Sequence, residues 1–390
     1  MNELVARRAL LRTVSLGALA SIATAFGQNV APDKPPAAAP GTGLIVREKE
    51  PENLESPASV LQTFITPAEQ FYVRNHFKQP EVTAEAWKLK VEGAVEHPFE
   101  MGYRDLLGMP SRTQVSMLEC AGNGRVFLIP KENGAQWQSG GVGNAEWVGV
   151  PLGAVLEKAG LKSNAVDVVF EGADQGEIKD DPKSPGEIHF ARSLPMAKAR
   201  NGNVLLAYKM NGADLSPAHG FPVRVIVPGW YGMASVKWLA RIVVTDKRFD
   251  GFFQSLQYSH WERSNGTPTL MPVTEMHVKA SIVAPMLDEV VPASGAYKVR
   301  GQAWAGESSI AQVEVSTDGG QKWNKAQLTG PSVRYAWRLW EYDWQAPVRG
   351  EYTLMARGTD AEGHTQPIER NKDHRSYEIT HVLPIKVTVR

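Results

Sequence analysis

The chain of 390 residues contains one cysteine, Cys120. Around it, Met117-Leu118-Glu119-Cys120-Ala121-Gly122-Asn123-Gly124-Arg125 runs from an apolar strand end into a glycine-rich turn. A strand-to-loop transition presents a side chain at a sheet edge, and the glycines let something large come close. Arg125, nearby in sequence, favours the thiolate over the thiol. A single thiol excludes intrachain disulfides, zinc fingers, thiolate-only iron–sulfur clusters and a covalent CxxCH haem. What survives is chemistry that needs one thiolate. That is either a metal with one protein sulfur ligand, or a nucleophile paired with a base such as His219. Taken alone, a lone cysteine is more often a small buried hydrophobe.

Composition narrows the field further. Hydrophobic residues at 43% and charged residues at 22% are ordinary for a soluble globular protein, and the length allows two or three domains. Lys+Arg 42 against Asp+Glu 42 leaves no basic excess to displace phosphate counterions, which argues against a nucleic-acid partner.

The elements that must position Cys120 follow from periodicity and turn residues. Residues 1–28 read as an export signal: Arg7-Arg8 precede an apolar stretch from Val14 to Phe26, and Ala23-Thr24-Ala25 offers a cleavage pattern. The arginine pair points to twin-arginine export and a periplasmic destination. The apolar run is too short and weak for a permanent membrane span. Loss of these residues would leave 39 basic against 41 acidic side chains, still no polyanion binder. Residues 29–62 form a Pro/Ala-rich linker and N-terminal extension. Residues 63–272 mix short apolar runs, turns and helical stretches, the texture of an α+β domain. Within it Trp87 to Gly93 alternates as a strand, Leu152 to Gly160 reads as an amphipathic helix, and Val166–Phe170, Val204–Tyr208 and Val223–Val227 read as core strands. Residues 273–390 carry short strands with regular turns. Examples are Val313 to Thr317 before Asp318-Gly319-Gly320, and Tyr352 to Arg357 before Asp360 to Gly363; the pattern points to an immunoglobulin-like β-sandwich.

Five segments in order resemble the sulfite oxidase family of molybdenum enzymes. They are Phe71-Tyr72-Val73-Arg74-Asn75-His76; Leu118-Glu119-Cys120-Ala121-Gly122-Asn123-Gly124-Arg125; His219-Gly220-Phe221-Pro222-Val223-Arg224; Ser235-Val236-Lys237-Trp238-Leu239; and Ala336-Trp337-Arg338-Leu339-Trp340. The resemblance implies a molybdopterin-binding domain followed by a β-sandwich dimerisation domain, hence a homodimer. It makes Cys120 the molybdenum ligand. It assigns Tyr72, Val73, Arg74, Asn75, His76, Asp174, His219, Arg224, Ser235, Val236 and Lys237 to the pterin and its phosphate. Arg74, Arg125 and Arg338 become the cationic lining of a pocket for a small oxyanion, with Trp137 in its wall. Guanidinium forks match such an anion with several charge-assisted hydrogen bonds. The family's active-site tyrosine falls at Tyr258 on one alignment and opposite Gly266 on another; Tyr258 is preferred because a phenol can donate and glycine cannot. Gly124 departs from the family, since the animal enzymes carry a second basic residue there.

The activity implied is molybdenum-dependent oxidation of sulfite to sulfate. With no haem in this chain, electrons would leave to a separate acceptor, a periplasmic c-type cytochrome. Rival readings are a related molybdopterin enzyme acting on sulfane sulfur or a sulfoxide, a nitrate reductase, a cysteine hydrolase using Cys120, and a non-enzymatic sandwich adhesin.

Overall fold

The structure, a computed structural model, describes residues 43–293, 295–345 and 348–390. The export-signal reading for residues 1–28, and the linker as far as residue 42, lie outside the described residues. No helix among those described is long and apolar enough to cross a membrane.

Residues that alternate in sequence alternate in burial. In the strand Lys88–Gly93, Leu89 and Val91 point inward while Lys88 and Lys90 face solvent. This strand joins a five-stranded sheet with Phe99–Gly102, Leu239–Thr245, Asp167–Gly176 and Ile188–Pro195; its pairing with Leu239–Thr245 is parallel. A second, antiparallel sheet holds Arg112–Glu119, Val142–Pro151, Leu205–Met210, Arg224–Ile226 and Ala213–Asp214. The strands expected from residues 166–170, 204–208 and 223–227 thus divide between two sheets that share one core, which contains Val168, Phe170, Tyr208 and Val223. Leu152–Ala159 is the expected helix, burying Leu152, Val155, Leu156 and Ala159 on one stripe and ending at Gly160.

The second domain is a sandwich. One sheet contains Lys279–Ala284, Tyr297–Trp304, Arg338–Trp344 and Gln327–Thr329; the other contains Val290–Val291, Ile385–Val389, Gly350–Asp360, Ile310–Ser316 and Asn324–Lys325. Val299, Val313, Val315, Trp340 and Leu354 fill the space between them. Trp304, Trp337 and Tyr377 of this domain belong instead to the first domain's core, which therefore continues across the interface.

The N-terminal extension is built in rather than loose. Ile45–Lys49 and Glu52–Glu55 form a hairpin, and Leu54 exchanges two backbone hydrogen bonds with Val73 at 2.8 and 2.9 Å. Glu55 accepts from the backbone N–H groups of Gln138 and Gly140 at 3.0 and 2.7 Å. These contacts fix the segment 71–76, which forms one wall of the site described next.

Candidate active site

Strand Arg112–Glu119 ends at Cys120, whose N–H donates to the Gly141 carbonyl at 2.8 Å. A turn closes when the Asn123 N–H donates back to Cys120 at 2.8 Å. The preceding residue, Glu119, points away from the thiol into the domain interface. There its carboxylate accepts from Lys279 Nζ at 2.9 Å, Asn123 Nδ2 at 3.1 Å and Trp304 Nε1 at 2.9 Å. The second domain therefore anchors the residue beside the thiol.

Cys120 lines a cleft. Among the residues assigned to the cofactor, Tyr72, Val73, Arg74, Asn75, His76, Asp174, His219, Arg224, Ser235 and Lys237 line it, and Tyr258 joins them. Gly232 also lines the cleft, and any side chain there would begin 2.7 Å from the Tyr72 hydroxyl. Gly266, the alternative to Tyr258, sits at the tip of the hairpin Ser259–Ser264/Thr267–Pro272 and is not in the lining.

The charges in the lining are unbalanced. Arg74, Arg224 and Lys237 face one carboxylate, Asp174. Burial pushes Asp174 up to about 6, against the pull of Lys237. Burial, with help from Arg224, holds Lys237 well below the ordinary lysine range, and burial lowers Arg224 to about 10. Arg224 donates to the His219 and Ser235 carbonyls at 3.1 and 3.0 Å, yet its Nε has no partner. Lys237 donates to Asn75 Oδ1 and to the Ala218 carbonyl. Clustered cations with so little countercharge suit an anionic ligand.

His219 and His76 are held neutral. His219 Nε2 lies 2.9 Å from the Ala68 carbonyl, which can only accept, so Nε2 carries the proton and Nδ1 keeps its lone pair. Burial lowers His219 to about 3. Burial also depresses His76, helped by Arg74, while its Nε2 lies 2.6 Å from the Tyr258 hydroxyl and its ring stacks on Phe190 at 4.4 Å. A histidine whose folded pKa lies below about 6.5 is not protonated in the fold but is protonated in the unfolded chain as pH falls. Stability is therefore fully present above about pH 6.5 and declines below it, by about 1.4 kcal/mol per pH unit for each such group. Thermal denaturation from pH 7.5 to 5 should show this loss, and His219→Gln should make it shallower; an unchanged slope would show that His219 is not the group responsible.

Four assigned residues stand outside the cleft lining. Val236 is buried behind it, with its carbonyl accepting from the Val225 N–H at 2.8 Å. Trp137, fully buried, meets the Tyr72 ring edge-on at 6.1 Å, one layer back. Arg125 is 4% exposed; it donates to the Ala135 and Ser376 carbonyls at 2.9 and 3.1 Å and lies over the Tyr377 ring. Arg338 requires a correction, because it does not reach the cleft. It opens a strand hydrogen-bonded on both sides and donates to the Gly330 carbonyl at 2.7 Å, partly exposed.

The second domain's contribution is Tyr377, which sequence reasoning missed. Its ring lies 4.8 Å from that of Tyr258, and its hydroxyl accepts from Gln257 at 3.2 Å. Arg192 was missed as well. Fully buried, it donates to the Phe253 and Val273 carbonyls at 2.5 and 2.7 Å and braces the wide turn Phe253–Gln257 that delivers Tyr258. A signal for it existed, since it is an arginine at an inward position of the alternating strand Ile188–Pro195. Tyr377 offered none.

Gly124 has φ +102°, and a side chain there would meet Ile379 and Leu383 at 3.1 Å. This chain's geometry thus excludes a basic residue at that position without a shift of the C-terminal segment.

Comparison with known proteins agrees with this architecture. Residues 76–253 match the oxidoreductase molybdopterin binding domain, and residues 271–380 match the Mo-co oxidoreductase dimerisation domain. The chain is 32% identical to chicken (Gallus gallus) sulfite oxidase over 345 residues, covering 83% of this chain and 73% of that protein. It is also 32% identical to the mitochondrial sulfite oxidase of mouse (Mus musculus), covering 83% of this chain and 61% of the mouse protein's length. Among solved structures it is similar to the sulfane dehydrogenase SoxCD of Paracoccus pantotrophus, with a TM-score of 0.74 and 28% identity over 87% of this chain and 85% of that one. A catalytic domain and a dimerisation domain in this order, with relatives matched across more than four fifths of the chain, place it in the sulfite oxidase family of molybdopterin-dependent oxidoreductases.

Proposed function

We propose that the chain oxidises sulfite to sulfate and passes the electrons to an external acceptor such as a c-type cytochrome. The reading rests on one cleft that brings together the lone thiol, a phenol and an unbalanced set of cations. The donor set fits the family's cofactor. Cys120 offers the single soft ligand, Arg224 and Lys237 offer charge for a phosphate, and the unpartnered Arg224 Nε offers a free donor. His219 Nδ1 and Asp174 can read a pterin edge. When bound, molybdenum on its pterin supplies two-electron oxo-transfer chemistry.

The chain's own groups do the rest. Arg74 lines the cleft beside Tyr258 and can pair with a small oxyanion. Burial raises the Tyr258 phenol above its ordinary range, so it keeps its proton at neutral pH. His76 Nε2 lies 2.6 Å from the phenolic oxygen; the neutral tautomer with its proton on Nε2 would donate to that oxygen and leave the phenol's own proton for the anion. Phe71 and Phe190 line the cleft and limit water. We propose further that two copies pair through their sandwich domains and that the protein is exported to the periplasm.

Steady-state reduction of ferricyanide or cytochrome c by the molybdenum-loaded protein, with sulfite as donor, tests the assignment. Loaded protein that turns over with neither overturns it. The likeness to SoxCD favours a second reading, oxidation of sulfane sulfur, and a substrate panel on the same enzyme distinguishes the two. The hydrolase reading is weakened, because a His219 lowered to about 3 is too poor a base to activate a thiol.

Lys237→Met should act with opposite signs on occupancy and stability. A charge-assisted hydrogen bond to phosphate contributes about 1.5–3 kcal/mol, so molybdenum content should fall at least about tenfold under limiting cofactor. The cofactor-free protein should melt no lower than its parent, because an under-compensated cation has gone. Full occupancy in this variant would remove Lys237 from the phosphate site.

A further inference from the structure

A single cysteine rules out sulfur-ligated zinc sites and leaves imidazole sites open. Three of the nine histidines, His260, His277 and His374, converge on the carboxylate of Glu378, which is 3% exposed. None of the four lines the cleft around Cys120.

We propose that His277, His374 and Glu378, with His260 paired to the far oxygen of the carboxylate, form a site for a divalent first-row transition ion, zinc above all, which staples the two domains together beside the active site. The ligand atoms of His277, His374 and Glu378 lie within 4.8 Å of one another. His277 Nε2 is 3.2 Å from Glu378 Oε1, and His260 Nδ1 is 2.9 Å from Glu378 Oε2. Neighbouring ligands on bonds of about 2.1 Å stand roughly 3.0–3.4 Å apart, so both separations are close to those of a formed site.

Two further observations point to a bound cation. The buried Glu378 Oε2 has a single partner, the ion pair with His260 Nδ1 at 2.9 Å, and a shared ion can take over the carboxylate charge that this pair carries. His374 Nδ1 lies 3.2 Å from the Glu378 carbonyl, which only accepts. The ring proton is therefore on Nδ1 and the lone pair is on Nε2, the usual tautomer of a metal-bound histidine whose other nitrogen is held by an outer-shell carbonyl. Imidazoles with one carboxylate suit zinc, copper or nickel, whereas calcium and magnesium prefer all-oxygen cages.

The ligands come from both domains. His260 is in the hairpin strand Ser259–Ser264, His277 is in the segment joining the domains, and His374 and Glu378 flank Tyr377. The Glu378 N–H donates to the Ala121 carbonyl at 2.8 Å, next to Cys120. An ion here would fix the segment that seats Tyr377 against Tyr258.

Titration of chelator-treated, molybdenum-loaded protein with Zn²⁺ tests this. The expected result is one saturable zinc per chain with a rise in melting temperature. His277→Ala and His374→Ala should each weaken binding at least about tenfold while molybdenum content stays constant. His97→Ala, on an exposed histidine that does not line the cavity shared by His277 and His374, should change nothing. Co²⁺ in the same site should give d–d bands that disappear in the two variants. Absence of saturable binding, equal binding by parent and both variants, or loss of binding in His97→Ala would each overturn the proposal. None of these outcomes depends on sulfite turnover, so the functional reading stands or falls separately.

Discussion

Cys120→Ser is expected to yield a folded protein whose turnover is lower by about three orders of magnitude, equivalent to about 4 kcal/mol of transition-state free energy. The fold should survive because the change is nearly isosteric. The strand end is held by the Cys120 N–H to the Gly141 carbonyl, a backbone bond that serine keeps. A partly satisfied buried hydroxyl adds about 1–2 kcal/mol of instability, well short of unfolding a domain with so extensive a core. The chemistry should not survive. A thiol ionises near neutral pH and binds soft metals as the thiolate, whereas an alcohol stays protonated and offers a harder, weaker donor. Arg224, Lys237 and His219 remain to hold the pterin portion, so cofactor content and rate should separate. Molybdenum analysis beside sulfite-dependent ferricyanide reduction reads both. Parental turnover in the variant would remove the thiolate from the reaction.

What the sequence discloses about this site depends on how locally each residue is held. The Cys120 loop is legible because its signal is contiguous: an apolar strand end, a thiol, then glycines. The strands were legible for the same reason, since alternation such as Leu89 and Val91 is written within six residues. Arg338 misled because its aromatic neighbours mark a strand without saying which end faces the first domain. Trp337 and Trp340 are buried, while the arginine beside Trp337 turns to Gly330. Tyr377 was illegible because residues 371–380 carry no period at all. Their position is set by long-range contacts, among them Glu378 N–H to Ala121, Arg125 to the Ser376 carbonyl, and packing on Tyr258. Local patterns reveal elements, but contacts between domains come from the shape of both.

The same reasoning exposes the joint that the catalytic loop depends on. Lys279→Met should destabilise the protein by about 3–5 kcal/mol, because it leaves the Glu119 carboxylate buried with its ionic partner gone. The pair is 2.9 Å apart, with side chains only 5% and 2% exposed, so solvent cannot take over the lost role. Asn123 and Trp304 still donate to Glu119, which limits the loss but does not neutralise the charge. Lys279 also donates to the Asn123 carbonyl at 3.1 Å, so the loop carrying Cys120 loses two anchors at once. Activity should therefore fall further than molybdenum content does. The double variant Lys279→Met with Glu119→Gln should regain most of the stability, since no uncompensated charge remains; denaturant melts of the four proteins give the coupling directly. If the single variant lies within about 1 kcal/mol of the parent, the interface charge pair is not what holds the loop. The apolar contacts of Trp304 and Trp337, with bonds such as Glu378 N–H to the Ala121 carbonyl, would then be carrying the domain junction.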